Sequence, residues 1–488
     1  MKTIYRLATG IAAFSLLSLA SAAMAQDAAA PVDPAVAKAA KAAAKARAKQ
    51  VAAWRAQYGP GPYPDEVETF AQARQEELRG YYRVLYYDGE HNAVLNYERL
   101  GLLSMELGYY DDAEKAFDGA LDRIEAFYNK DKQAEKATSA TRLEVNKDFK
   151  GEPYERAMAY YYRGLLYLRK GDYDNARASF KAAEYQDTVA GDESFQSDFA
   201  LLTYLQGWAS HCAGDGSQAA DAFEQAAKID AKLKAPGAND NILVLTELGT
   251  GPVKATDGQY QEKLVFRPGA TMPENGAIVT LGSGKTTRAW PLTPAADIYT
   301  QASTRGGRAI DGILDGKAQF KAGLETTSAL ATAVGSSFAQ QMGGNALYAQ
   351  GIGAALSMFS KSVRPTADTR MWDGLPSTIM VGTTRWGSAP APAVGKGKKA
   401  APKASLTGGA WSMPPVSVSY RQDDNVLDLA GTKPMTANAG KCGIVWARSR
   451  SVSTLPPEAP GNNAKIALAR KRDKDVWAKD EAFRAKLR

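Results

Sequence analysis

Three stretches of the chain decide its fold: L-G-L-L-S-M-E-L-G-Y-Y-D-D-A-E-K-A-F-D-G-A (100–120), R-G-L-L-Y-L-R-K-G-D-Y-D-N-A-R-A-S-F-K-A-A (163–183) and Q-G-W-A-S-H-C-A-G-D-G-S-Q-A-A-D-A-F-E-Q-A (206–226). Each carries Gly, Gly, Ala, Phe and Ala at the same offsets. These are Gly101, Gly108, Ala113, Phe117 and Ala120, then Gly164, Gly171, Ala176, Phe180 and Ala183, then Gly207, Gly214, Ala219, Phe223 and Ala226. Such a pattern predicts three helical hairpins. The first Gly and the Ala positions let two antiparallel helices approach closely, and the Phe fills the space between them. The second Gly ends the first helix, where a left-handed cap is wanted. The Asp that follows it can cap the second helix.

The pattern resembles the tetratricopeptide repeat, a helix–turn–helix unit. Its helix-ending glycines, 108, 171 and 214, are spaced by 63 and 43 residues, against about 34 in a tandem array. The excess falls in the charged stretch 130–151 and the polar stretch 186–197. A solenoid this short and interrupted needs something to cover its ends. Residues 65–89, with Phe70, Leu78, Tyr81, Tyr82 and Leu85, read as a capping helix or helix pair.

After residue 239 the periodicity changes. Strands are predicted at 242–249, 261–266, 277–281, 288–292, 378–384, 416–420, 426–429 and 444–447, with Gly and Pro between them. Residues 295–321 read as mostly helical. From 326 to 360 the sequence holds no charged residue, and Ala331/Gly335 and Gly351/Ala355 are small residues four apart. That spacing suits close helix packing. It reads either as a helical hairpin packed on the β domain or as a membrane-contacting hairpin. The expected fold is α+β and multidomain: an α-helical repeat region (63–235), then a β-rich domain (240–452). That domain carries a helical insertion near 295–362 and a Pro/Ala/Lys loop near 387–407, and a charged tail (453–488) follows.

With 488 residues and a formal charge of +7, the chain has room for two or three domains. Its basic excess lies in local runs, which are usually solvated, and nucleic acid is not an expected partner. Residues 1–25 read as a secretory signal peptide. Lys2 and Arg6 precede an apolar run, and Ala23-Met24-Ala25 forms the cleavage site. The expected address is the periplasm, with residues 26–62 as an Ala/Lys-rich spacer. The two cysteines, Cys212 and Cys442, can pair in such an oxidising compartment or stand as two isolated buried thiols.

Chemistry-bearing motifs are few. Gly282-Ser-Gly-Lys-Thr-Thr287 lacks the first Gly of a phosphate loop, since Val279 stands there, and a strand follows it; it reads as a hairpin turn. Histidine occurs only as His91 and His211. Neither lies beside a nucleophile elbow, and no Cys/His/carboxylate cluster has metal-ligand spacing. No cofactor, metal or catalytic residue is expected. Asp368 and Arg370 lie two apart before Trp372, which suits either an ion pair that orders the chain or a ligand-binding Arg.

Gly151-Glu-Pro-Tyr-Glu-Arg156, Val244-Leu-Thr-Glu-Leu-Gly-Thr-Gly-Pro-Val-Lys254 and Ala367-Asp-Thr-Arg-Met-Trp-Asp-Gly-Leu-Pro376 add a second likeness. With the repeats, they resemble a largely uncharacterised family of bacterial envelope proteins with a tetratricopeptide region and a β-containing domain. The resemblance implies a non-enzymatic scaffold that binds a protein partner in envelope assembly or outer-membrane secretion. Many such proteins look like lipoproteins, but this chain lacks the lipobox Cys. Likeness to tetratricopeptide proteins implies a partner-binding concave face of Glu98, Leu102, Met105, Tyr161, Leu165, Arg169, Tyr204, Trp208 and His211. Those residues either form a peptide groove or bury against the β domain or capping helix. The alternatives to a scaffold are a membrane-associated component acting through 326–360 and a carboxylate-based enzyme acting on cell-wall polymer.

Overall fold

The computed structural model describes residues 63, 65–128, 148–188, 198–257, 263–304, 368–387, 411–452 and 474–488. The expected signal peptide, the spacer, the uncharged stretch 326–360 and nearly all of the loop 387–407 lie outside these residues.

Two helices open the described chain, α1 (Asp65–Gln72) and α2 (Arg79–Asp88), where a capping pair was expected. Three helical hairpins follow: α3 (Ala93–Leu107) with α4 (Tyr110–Tyr128), α5 (Pro153–Lys170) with α6 (Tyr173–Thr188), and α7 (Ala200–Ala213) with α8 (Gly216–Ile229). The repeated residues explain them. Gly108, Gly171 and Gly214 end α3, α5 and α7 in the left-handed conformation. The amides that follow close the helix ends, as where Tyr109 N donates to the Ser104 carbonyl at 2.8 Å. Within the hairpins the smallest residue meets the largest. A Cβ on Gly164 would stand 2.4 Å from the Phe180 ring, and one on Gly101 2.9 Å from Phe117. Helix α5 starts on a reciprocal cap, in which Glu152 and Glu155 satisfy each other's end of the first turn and Pro153 supplies a preset φ.

Strands β1 (Ile242–Leu248), β6 (Thr293–Asp297), β7 (Thr378–Thr384), β10 (Met435–Ala439) and β11 (Cys442–Arg448) form a five-stranded sheet in the order β10-β11-β1-β7-β6. Its one parallel pair joins β1 to β11. A second sheet has the order β5-β4-β8-β9, from β4 (Gly276–Leu281), β5 (Arg288–Pro291), β8 (Val416–Gln422) and β9 (Asn425–Val426). Strands β2 (Val253–Asp257) and β3 (Lys263–Arg267) form a separate hairpin. Of the segment expected to be helical, 295–321, the structure describes 295–304: residues 295–297 close strand β6, and α9 (Ile298–Ser303) follows, capped by Asp297. The Gly282–Thr287 motif is the turn between β4 and β5, which pair antiparallel.

Side-chain alternation sets three layers. From the five-stranded sheet, Leu243, Leu245, Ile379, Val381, Ile444 and Trp446 point into a core shared with the helices. Ile242, Val244, Leu248, Met380 and Val445 point into a second core shared with Val279, Leu281, Leu292 and Tyr420 of the other sheet region. Every residue of β1 and β11 is therefore buried, and both strands read as nearly continuous apolar runs. The first core runs unbroken from Leu78 to Phe483. The helical and β regions share it, and Pro62–Arg488 is one compact unit. The fold is mixed α+β.

Candidate functional site: the helix–sheet interface

The faces of α3, α5 and α7 that carry the expected groove residues are turned toward the five-stranded sheet and the 368–377 segment. Glu98, Leu102, Met105, Tyr161, Leu165, Tyr204 and Trp208 are all buried within the chain. Arg169 is half-buried and lies over the Tyr110 ring at 3.7 Å. The His211 ring nitrogen Nε2 is 2.8 Å from the Asp240 carbonyl oxygen. The reading of these residues as an open peptide groove is therefore corrected. Leu102, Met105, Tyr161, Leu165, Tyr204 and Trp208 instead share a core with the inward side chains of β1, β7 and β11, which their large apolar surfaces match. Seven of the nine thus lie in the protein's own interior, while His211 and Arg169 are half-buried, Arg169 against α4.

Charges are set into it in two clusters. In the first, Arg448 at the end of β11 pairs with Glu106 of α3 at 2.6 Å and with Glu247 of β1 at 2.9 Å. The Tyr162 hydroxyl and the Trp446 indole N–H each donate to Glu247 at 2.8 Å. Glu106 also accepts from Ser451 Oγ at 2.6 Å and from the Val452 amide. Burial pushes the Glu247 carboxyl up, against the pull of Arg448 and its two hydrogen-bond donors. Burial works against the Arg448 charge too, but Tyr162, Glu106 and Glu247 more than offset it, and its pKa is raised. A buried ion cluster of this kind ties three elements together and is costly to break by halves.

In the second cluster Glu155, fully buried, accepts from Lys254 Nζ of β2 at 2.6 Å, from the Trp372 amide at 2.8 Å and from the Glu152 amide at 2.7 Å. Lys254 donates again to the Arg370 carbonyl at 2.9 Å. Arg370 forms a two-pronged pair with Asp368 and donates to Asn92 Oδ1 at 2.8 Å. Burial raises the Asp368 carboxyl, but Arg370 overcomes it, so the pKa is lowered. This pair orders the chain that carries Trp372 into the core against Tyr162 and Phe117. Arg370 Nη1 also lies 3.0 Å from His91 Nε2, so that nitrogen faces a guanidinium and is not placed to take a proton from a substrate.

Glu98 differs from its neighbours. It is fully buried, and neither carboxylate oxygen has a hydrogen-bond partner among the described residues. Burial, then the nearby Glu155 charge, raise its pKa well above the ordinary range, with Lys254 pulling the other way. Its environment favours the neutral acid.

Cys212 of α7 and Cys442 of β11 form a disulfide, with Cα atoms 5.7 Å apart. The neighbouring Tyr173 hydroxyl accepts from the Cys442 amide at 3.1 Å. Among the described residues, no group of three or more His, Cys, Asp or Glu side chains is arranged to hold a metal ion. None of the described helices is long and apolar enough to cross a membrane.

Sequence reasoning missed Glu106, Glu155, Glu247, Lys254 and Arg448. A usable signal existed for two. Glu247 falls in phase with Leu243 and Leu245, and Arg448 with Ile444 and Trp446. A charge in phase with the apolar face of a strand is buried, and it needs a partner. No family model matches the chain, and no curated protein matches it.

Proposed function

We propose that the protein is an exported scaffold of the cell envelope, non-enzymatic, which binds a protein partner in envelope assembly or outer-membrane secretion. Its hairpins are tetratricopeptide-like but serve as a frame. They hold the protein's own sheet on the face that such repeats usually offer to a peptide. Partner contact then falls to the outer surface, including the exposed sides of α6 and α8.

The observation that carries this reading is the disulfide between α7 and β11. Such bonds persist in oxidising compartments outside the cytosol, in agreement with the export signal read in residues 1–25. The internal charge clusters support a structural role as well. Lys254, Arg370 and Arg448 each spend their donors on carboxylates and carbonyls of the same chain.

The test combines fractionation with in-cell photocrosslinking from Lys181 and Glu224, both exposed. The expected result is a periplasmic protein with Cys212 and Cys442 blocked to alkylation, and a discrete crosslinked partner identified by mass spectrometry. Retention in the cytoplasm with two alkylatable thiols would remove the export reading. A periplasmic protein with no crosslink from any outer face would remove the scaffold reading.

A further inference from the structure

The last helix, α10 (Lys474–Leu487), returns to the start of the helical layer. There it packs beside the turn between α2 and α3. One face makes the contact. Asp480 is buried, and its Oδ1 accepts from the Glu90 amide at 3.1 Å. It sits so close to Gly89 that a Cβ there would lie 2.4 Å from the same oxygen. Phe483, 2 % exposed, meets the Tyr97 ring edge-on with centroids 6.0 Å apart. Arg123 lies over both rings, at 5.0 Å and 5.2 Å, and Glu90 holds it there by two bonds of 3.0 Å. Arg484 donates to the carbonyls of Tyr86 and Tyr87 at 3.1 and 3.3 Å, and so covers the end of α2. Arg488 reaches the Tyr86 hydroxyl and Glu66. Arg74 in turn donates to the Leu487 carbonyl at 2.9 Å, closing the end of α10.

The contact residues are Asp480, Phe483, Arg484 and Arg488, at helix spacings that fall on one face. That is how a groove reads an amphipathic helix. The opposite face, with Lys479, Ala482, Ala485 and Lys486, is exposed. From residue 478 onward Phe483 is the one fully buried apolar side chain, and Leu487 is half-buried. Among the described side chains of 478–488 that is one apolar anchor, on a helix whose 14 residues are a length marginal in isolation. Covalent attachment makes up the difference by keeping the helix at high local concentration.

We propose that the slot formed by Gly89, Glu90, Tyr97, Arg123, Tyr86 and Arg74 is a helix-docking site. In this reading α10 occupies the slot in cis and gives way to a partner's amphipathic helix with the same Asp-x-x-Phe-Arg-x-x-x-Arg face. The slot supplies a backbone amide for the acid, a Tyr/Arg sandwich for the aromatic ring, and helix-end carbonyls and Glu66 for the arginines. The idea rests on the scaffold reading for the existence of a partner, and it names that partner's recognition chemistry.

The test uses the full-length chain and a fluorescein-labelled peptide of residues 474–488, followed by fluorescence anisotropy. Phe483→Ala weakens the cis helix. The variant chain is expected to bind the peptide saturably and at least about tenfold more tightly than wild type, whose own helix competes. Adding Arg123→Ala is expected to remove that binding, with circular dichroism and the thermal midpoint confirming that both variants are folded. Arg484→Ala/Arg488→Ala offers a second way to release the helix should Phe483→Ala impair folding. Hydrogen exchange on wild type is expected to show α10 amides exchanging far faster than those of α5. No peptide binding to either released variant, or α10 protected as strongly as α5, would overturn the proposal. Because the peptide measurement involves neither export nor a cellular partner, its failure is distinguishable from failure of the scaffold reading.

Discussion

The two ends of the helical layer are fastened differently. At the far end, α7 is joined to β11 by a covalent bond, and the Asp240 carbonyl lies against His211. At the near end, α3 is held by charges. Arg448 pairs with Glu106, Arg99 of α3 pairs with Asp373 at 2.9 Å, and Arg370 clamps the turn at Asn92. A single helix, α10, then lies across that end. One end is fixed whatever the pH or salt, while the other depends on charges whose strength the surroundings set. The difference teaches where this molecule can yield: at the end where the chain's two described termini meet.

The largest expected effect comes from the charged end. Arg448→Met leaves Glu106 and Glu247 buried without their cation, and it should destabilise the protein by about 3–5 kcal/mol. Urea unfolding would register this as a lower midpoint. A midpoint within error of wild type would mean that the ion cluster does not hold the near end. At the far end, Cys212→Ser/Cys442→Ser should cost about 2–4 kcal/mol, the usual scale for a bond that closes a long loop. Reducing the wild type should lower its thermal midpoint by a similar amount and leave the double variant unmoved.

Between the ends, Gly164→Ala forces a Cβ against the Phe180 ring and should cost about 1–3 kcal/mol by overpacking. Gly216→Ala, where a Cβ would meet nothing within 4 Å, should be near neutral in the same assay.

The smallest effect at acid pH, and the sharpest test of the contrast, is Glu98→Gln. The folded-state pKa of Glu98 is raised, so its contribution is fully present below the unfolded value of about 4.3. That contribution is lost as pH rises through the folded value. Wild type should therefore lose stability relative to the variant as pH rises from acid to alkaline. Parallel curves of unfolding midpoint against pH for the two proteins would show that Glu98 does not titrate differently on folding.

How much of this could be read from the residues depended on distance along the chain. The hairpins were legible because Gly101 meets Phe117, and Gly164 meets Phe180, inside one local unit. The role of Tyr161, Tyr204 and Trp208 was not. A row of large aromatics on a helix face looks the same whether a partner or the chain's own strand covers it. The covering strands were partly visible as apolar runs at 242–249 and 444–447, but their parallel pairing joins residues about two hundred positions apart. The end of strand β6, 295–297, reads as the start of a helix because Ala295 and Ala296 give no alternation; pairing with β7, across a bulge, decides it. Glu106, Glu155 and Lys254 went unread because each looked like an ordinary surface residue until its partner from another element was beside it, whereas Glu247 and Arg448 stood in phase with the apolar faces of their strands.

The position of β11 has a consequence for synthesis. Strand β1 lies between β7 and β11, so the middle strand of the sheet gains its last neighbour only when residues 442–448 have been made. The helical hairpins are translated long before that, and their aromatic faces must wait uncovered. A ribosome-bound fragment ending before β10 cannot complete the first core. Pairings this far apart in sequence form slowly, and uncovered apolar faces are what chaperones hold. Under the proposed export such a late closing strand would be an advantage, since it would delay the finished structure until residues 442–448 have crossed the membrane.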